Sequence, residues 1–304
     1  MSIPFAFAGV ILIWSTTPLA IKWSSEGPGF LFGVASRMAI GALLCVTLML
    51  LLRQRLPLHK RALHTYLAAG LSLYAAMMAV YWGAQFIPSG LVSVIFGLTP
   101  LVTGLLAMQW LRDEPFGIEQ LLGCIAGLIG LAVIFGTSLN HDSIALQGIV
   151  AVLVSVLLHS VSSVRVKHCG YDIPPLAITT GGLLLATPLY LLTWIMHDNA
   201  TLPADISPRA GYSIVYLGIF GSVLGFVMYY YLLRHIQAGR AALITLVTPV
   251  IALMIGQTFN HESITRQVII GTLLILLGLA IYQWQELRAM IRPQASDSGD
   301  DNRG

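Results

Sequence analysis

Few residues in this chain of 304 are equipped for chemistry, and those few lie in apolar surroundings. Arg37 stands inside FLFGVASRMAIGALLCVTLMLL, about 12 Å along a helix axis from Phe30 at 1.5 Å per residue. A guanidinium there either anchors a carboxylate or opens and closes a path, or it is a structural group bonded to carbonyls or snorkelling outward. His159 has Ser155, Ser160, Ser162 and Ser163 around it and is a near-neutral titratable group deep in an apolar run; His64 lies at the mouth of another. It reads either as a proton carrier or as a neutral imidazole bonded to a hydroxyl. Trp14, Tyr74, Tyr81, Trp82, Phe96, Phe226, Tyr229 and Tyr230 place rings within apolar runs, some for packing and some for contact with an amphipathic or amino-acid-like solute. The solute-contact candidates are Trp14, Thr17, Arg37, Tyr74, Tyr81, Phe96, His159, Ser163, Tyr230 and Thr245.

Prolines punctuate the same runs. Pro18, Pro100 and Pro249 each remove a backbone donor from a helix and leave a carbonyl free, which makes them hinges or fixed kinks; Pro188 fits either reading. Catalytic signatures are missing: the chain has no Gly-x-x-x-x-Gly-Lys, His-Glu-x-x-His or Gly-x-Ser-x-Gly. No catalytic residue, metal site or cofactor is therefore expected, and gradients rather than ATP must supply any driving force. Cys45, Cys124 and Cys169 are far apart and read as small packing residues. No basic-aromatic stripe suggests nucleic acid.

Elements long enough to position these residues follow from composition. The chain is 57% hydrophobic and 10% charged, with mean hydropathy +0.82, whereas a water-facing surface requires about 25% charge. The surface faces lipid. At about 20 residues per crossing, ten helical spans are expected. They are Ile3–Trp23, Phe30–Leu52, His64–Gln85, Leu91–Leu111, Ile118–Thr137, Leu146–Val166, Leu176–Met196, Gly211–Leu233, Ala241–Asn260 and Gln267–Gln285. The N-terminus lacks a basic segment and a cleavage signal, so the first run reads as a retained helix. The tail, residues 286–304, is polar and reads as disordered and cytoplasmic. With these spans, twelve Lys and Arg fall on one side and three (Lys22, Arg209, Arg266) on the other, which places both termini in the cytoplasm.

The chain also repeats itself. Gly90, Thr99 and Pro100 pair without a gap with Gly239, Thr248 and Pro249; after one deletion Glu114, Gly123 and Gly130 pair with Glu262, Gly271 and Gly278. Trp14-Ser15 and Lys22 match His159-Ser160 and Lys167 at one offset, and Tyr81 matches Tyr230. Five spans per half is an odd number, so the second half lies upside down. The expected fold is all-α and integral to the membrane, ten helices in two inverted five-helix repeats, residues 1–137 and 146–285. Inverted repeats point to a carrier with its site near the midplane where the halves meet. The paired Glu114 and Glu262 would fix helix ends or loops at opposite surfaces. Gly29-x-x-x-Gly33, Gly123-x-x-x-Gly127 and Gly221-x-x-x-Gly225 permit close helix packing, within one chain or across a dimer.

IWSTTPLAIK in the first span, SRMAIGALL in the second and IPSGLVSVIFGLTPLVTGLLA entering the fourth carry a resemblance. Together with a Glu after that span and Gly-rich fifth and tenth spans, they make the chain resemble the EamA-type, ten-helix members of the drug/metabolite transporter superfamily from about Pro4 to Trp284. The resemblance implies a central cavity lined by spans 1–4 and 6–9, with spans 5 and 10 bracing it. It also implies export or exchange of small metabolites, amino acids or drugs across a bacterial-type inner membrane by alternating access. Partners would be a small-molecule substrate, the bilayer and a coupled proton or counter-solute, with the chain a monomer or homodimer. The chain departs from the pattern with His159 opposite Trp14 and with no second counterpart of Arg37. A passive channel, facilitator or lipid scramblase is the alternative.

Overall fold

A backbone in hydrocarbon must bond its own N–H and C=O groups, and every regular element among the described residues is helical. The computed structural model describes residues 2–111, 117–141, 143–169, 172–198, 201–203, 205–236 and 244–284. In order these form α1 Ile3–Ser25, α2 Phe30–Leu51, α3 Lys60–Gly83, α4 Ser89–Phe96, α5 Thr99–Leu111, α6 Ile118–His141, α7 Ser143–Cys169, α8 Pro175–Asp198 and α9 Pro208–Tyr216. A π-helical segment, Leu217–Leu224, joins α9 to α10 Gly225–His235, and α11 Ile244–Asn260 and α12 Arg266–Tyr282 follow. Among the described residues, seven rods are long and apolar enough to cross a membrane, counting Ser89–Met108 as one and Pro208–His235 as one. Shorter apolar helices, Ile118–Ile134, Ile244–Asn260 and Arg266–Tyr282, occupy the places of the fifth, ninth and tenth expected spans. The protein is a multi-pass membrane protein.

Helix ends extend past the apolar runs because polar caps hold them. The third span, expected from His64, begins at Lys60, since the His59 side chain accepts the Ala62 N–H. The eighth begins at Pro208 rather than Gly211, with Ser207 accepting the Ala210 N–H and a proline in the first turn. Gly27 (φ 92°) and Gly29 (φ 83°) reverse the chain between α1 and α2 in a region that side chains disfavour. The expected tail, the starts of the ninth span and the end of the tenth, and Glu114 lie outside the described residues.

Apolar burial does not drive helices together in lipid; packing and interhelical hydrogen bonds do. Leu43 and Leu273 stand 68% and 61% exposed, as side chains turned to lipid should. Inward faces carry small residues. A Cβ added at Gly123 would stand 2.5 Å from the Gly278 carbonyl oxygen, and one at Gly130 2.6 Å from that of Gly271, so α6 and α12 touch backbone to backbone. Gly83 meets Gly148 in the same way between α3 and α7, and Gly70 meets Gly182 between α3 and α8. Ser155 and Ser162 of α7 donate across to the carbonyls of Ala76 and Ala68 in α3, at 2.7 and 3.2 Å.

Candidate functional site

Two groups of side chains gather the sequence candidates at successive levels of one helical rod. The first is aromatic. Trp14 from α1, Phe96 at the end of α4, His159 from α7 and Tyr229 from α10 converge. The His159 ring lies 6.2 Å from Trp14, 6.3 Å from Phe96 and 6.0 Å from Tyr229, and Trp14 and Tyr229 are 4.9 Å apart. Ser163, one turn beyond His159, shares a 3.3 Å hydrogen bond with the Tyr229 hydroxyl while donating to the His159 carbonyl. Tyr230 sits at the edge of this group, stacked on Phe226. The serines flanking His159 all donate to backbone carbonyls, with Ser160 reaching the Thr99 carbonyl at 3.5 Å. The imidazole is thus framed chiefly by rings.

The helices that carry these rings are interrupted next to them. Pro18 is buried inside α1 and removes the donor that the Trp14 carbonyl would otherwise receive; Pro249 inside α11 does the same for Thr245, which is itself buried. The rod containing Phe96 breaks at Gly97 and Leu98, and α5 restarts with Pro100 in its first turn. A missing N–H is harmless there, so the break lies upstream of the proline rather than at it. Thr17 turns back onto the Ile13 carbonyl within α1 at 2.7 Å.

The second group surrounds Arg37, which is 1% exposed. Its Nε donates to the Ser222 hydroxyl at 2.8 Å, and Nη1 reaches the Tyr81 hydroxyl at 3.5 Å and the Met77 sulfur at 4.0 Å. Its guanidinium lies 5.9 Å from the centre of the Tyr81 ring. Tyr74, two turns before Tyr81, shares a 2.6 Å bond with Thr193 and packs 5.0 Å from Tyr190, so it belongs to the α3–α8 seam. Ser222 and the glycines that admit Arg37 lie in the π-helical segment, a wide turn that recurs at functional sites.

At one mouth of the bundle a polar latch ties α1, α4 and the turn before α12. Glu262 accepts the Ser89 N–H (2.9 Å), the Ser89 hydroxyl (3.0 Å), the Gly90 N–H (3.2 Å) and the Asn260 amide (2.9 Å). Lys22 Nζ lies 3.8 Å from it and donates to the Ile87 carbonyl. Burial pulls the Glu262 carboxyl upward, but the donors from Ser89, Asn260 and Gly90 outweigh it and hold the group below its ordinary value. Asn260 also accepts from the Trp23 indole at 3.0 Å, and Arg209 lies over that ring.

The chain as a whole has counterparts among known proteins. The EamA-like transporter family matches residues 1–136 and again residues 146–283. The chain belongs to that family. Among EamA relatives, the uncharacterized transporter YoaV of Bacillus subtilis is 30% identical over 273 residues, 89% of this chain and 92% of that one. A probable terminal-alkyne amino-acid exporter of Streptantibioticus cattleyicolor is 26% identical over 235 residues, covering 76% and 75% of the two chains. A crystal structure superposes with a TM-score of 0.69 at 20% identity, covering 93% of this chain and 98% of that one, a likeness of fold. The chain is a membrane transporter by family.

Of the sequence candidates, the structure brings Trp14, Phe96, His159 and Ser163 together in the aromatic group and Arg37 and Tyr81 in the other, while Tyr74 and Thr17 bond elsewhere. Sequence reasoning missed Ser222, Met77 and Asn260, which carry no periodic or charge signal. Tyr229 and Tyr230 both stand among the span aromatics and Tyr230 is the solute-contact candidate, whereas Tyr229 is the ring beside His159. The π-helical segment lies directly before α10, which carries Tyr229 to within 6.0 Å of the His159 ring.

Proposed function

We propose that the protein is a secondary transporter built from two inverted five-helix halves, moving a small amphipathic solute past the Trp14–His159 group by alternating access. Of all the contacts, that between Trp14 and His159 carries this reading most directly: they hold equivalent places in the two halves, yet their rings stand 6.2 Å apart. Equivalent residues of an inverted pair meet only near the pseudo-two-fold axis, where such carriers bind their solute. The brace fits the same symmetry. Gly123 and Gly130 are equivalent to Gly271 and Gly278, and the contacts are crossed, Gly123 to Gly278 and Gly130 to Gly271. In this reading ten helices cross a bacterial-type inner membrane, both termini are cytoplasmic, and the Glu262 latch closes the external mouth.

The solute is a small metabolite, an amino-acid-like compound or a drug, and the driving gradient is protons or a counter-solute. The test is flux of radiolabelled metabolite extracts into proteoliposomes. Saturation and counterflow are expected, with a loss of at least tenfold on Trp14→Ala, the effect of removing one large ring contact. Linear flux without counterflow would instead make the protein a passive channel.

A further inference from the structure

Charge in the described helices lies at their ends, with Lys60 and Arg61 opening α3 and Arg165 and Lys167 closing α7. Lys22, near the end of α1, is paired with Glu262. Arg37 breaks this pattern. It is eight residues into α2, buried, and every group bonded to it is neutral: a serine hydroxyl, a tyrosine hydroxyl and a thioether. Among the described residues no carboxylate pairs with it. A buried cation without an anion is costly, and any anion that arrives recovers that cost.

The position of the guanidinium relative to the aromatic group is set by the eighth rod. An added Cβ at Gly221 would stand 3.0 Å from Arg37 Nη2, and one at Gly225 would stand 3.6 Å from Trp14 Nε1. These glycines are four residues apart, so the guanidinium and the indole lie against consecutive turns of one helix face, about 6 Å apart along the rod at 1.5 Å per residue. Neither glycine puts a side chain between them. The long contacts of Nη1, to the Met77 sulfur at 4.0 Å and the Tyr81 hydroxyl at 3.5 Å, are the ones an incoming oxygen would replace.

We propose that the solute is an amphipathic carboxylate whose charged end binds Arg37 and whose apolar body lies against Trp14 and Tyr229, and that lipophilic cations are rejected. This rests on the transporter reading for its purpose, but it is a statement about binding. Carboxylate and apolar body should be separated by about one helical turn. A cation in the same place meets only the positive charge of Arg37, since no acidic side chain of the described residues lies mid-helix.

Three probes of one shape decide the matter: 3-phenylpropionate, 3-phenylpropionamide and 3-phenylpropylamine, each titrated into the purified full-length protein by calorimetry. The acid should bind at least about tenfold more tightly than the amide, the difference made by a charge-assisted hydrogen bond, and the amine most weakly. Arg37→Gln should erase the acid's advantage and leave the amide's affinity unchanged; Arg37→Lys should retain part of it. Equal binding of acid and amide, tighter binding of the amine, or no binding of the acid at millimolar concentration overturns the proposal. Should Arg37→Gln not fold, the ranking of the three probes on the wild-type protein decides alone. Saturable counterflow of the amine in preference to the acid would remove this proposal and keep the transporter reading, whereas tight binding of the acid with no saturable flux of any solute would do the reverse.

Discussion

Replacing Glu262 by glutamine should loosen one mouth of the bundle by roughly 2–3 kcal/mol. One oxygen accepts the Ser89 N–H and the Asn260 amide, and the other accepts the Ser89 hydroxyl and the Gly90 N–H. A glutamine NH2 in either place confronts a backbone N–H and loses two acceptor contacts. At about 1–1.5 kcal/mol for each bond whose buried partner is left unsatisfied, this amounts to roughly 2–3 kcal/mol. The Lys22 pair adds less than about 1 kcal/mol, because the lysine is 27% exposed and 3.8 Å away. Lys22→Met alone should therefore cost under about 1 kcal/mol, and Glu262→Ala at least as much as Glu262→Gln. Reversible unfolding in mixed micelles titrated with SDS, followed by tryptophan fluorescence, gives all three. The pH dependence has a definite sign. Because the folded carboxyl titrates below its ordinary value of 4.5, its stabilisation is fully present above that pH and disappears as pH falls through the lower folded value. The gap between wild type and Glu262→Gln should thus be flat at neutral pH and narrow on strong acidification. A Lys22→Met cost equal to that of Glu262→Gln, or a gap that widens in acid, would refute the reasoning.

Gly278→Ala should cost about 1–3 kcal/mol in the same titration and Gly278→Leu more, because a Cβ meets the Gly123 carbonyl at 2.6 Å and backbone cannot move aside cheaply. Ser222→Ala leaves Arg37 Nε without its acceptor and should destabilise by about 1–3 kcal/mol, while Ser222→Thr, which restores a hydroxyl, should recover most of the loss. Tyr229→Phe removes only the hydroxyl bonded to Ser163, so it should change KM by a few-fold and leave maximal flux near wild type, whereas Tyr229→Ala should reduce flux by at least about tenfold.

Much of this was legible because lipid imposes a strict rule on sequence. Apolar runs of crossing length announce the helices, and Arg37, a charge inside such a run, stands out before any contact is known; the structure buries it against Ser222 and Tyr81. Trp14 and His159 were legible from their type and their matched places in the two halves. The Glu262 turn, matched to Glu114, was legible as a device for fixing helix ends, and Glu262 does cap the start of α4. Other features left no mark on the pattern. Ser222 is one serine among many, and its role exists only because Arg37 reaches across from α2. The π-helical turn leaves composition and hydropathy unchanged, so nothing in the sequence announces it. The break at Gly97 and Leu98 lies upstream of the proline that seemed to mark it, because Pro100 begins a helix as readily as it ends one.

The crossed glycine contacts between α6 and α12 have a mechanical consequence. Two rods in main-chain contact at two points along their length cannot slide, since sliding drives peptide groups into one another, and cannot part without opening a void that lipid tails fill poorly. They must travel together as a single strut. In the alternating access proposed above, rocking about the Trp14–His159 group would have to be taken up by the proline-broken and wide-turned rods, against a strut that stays stiff.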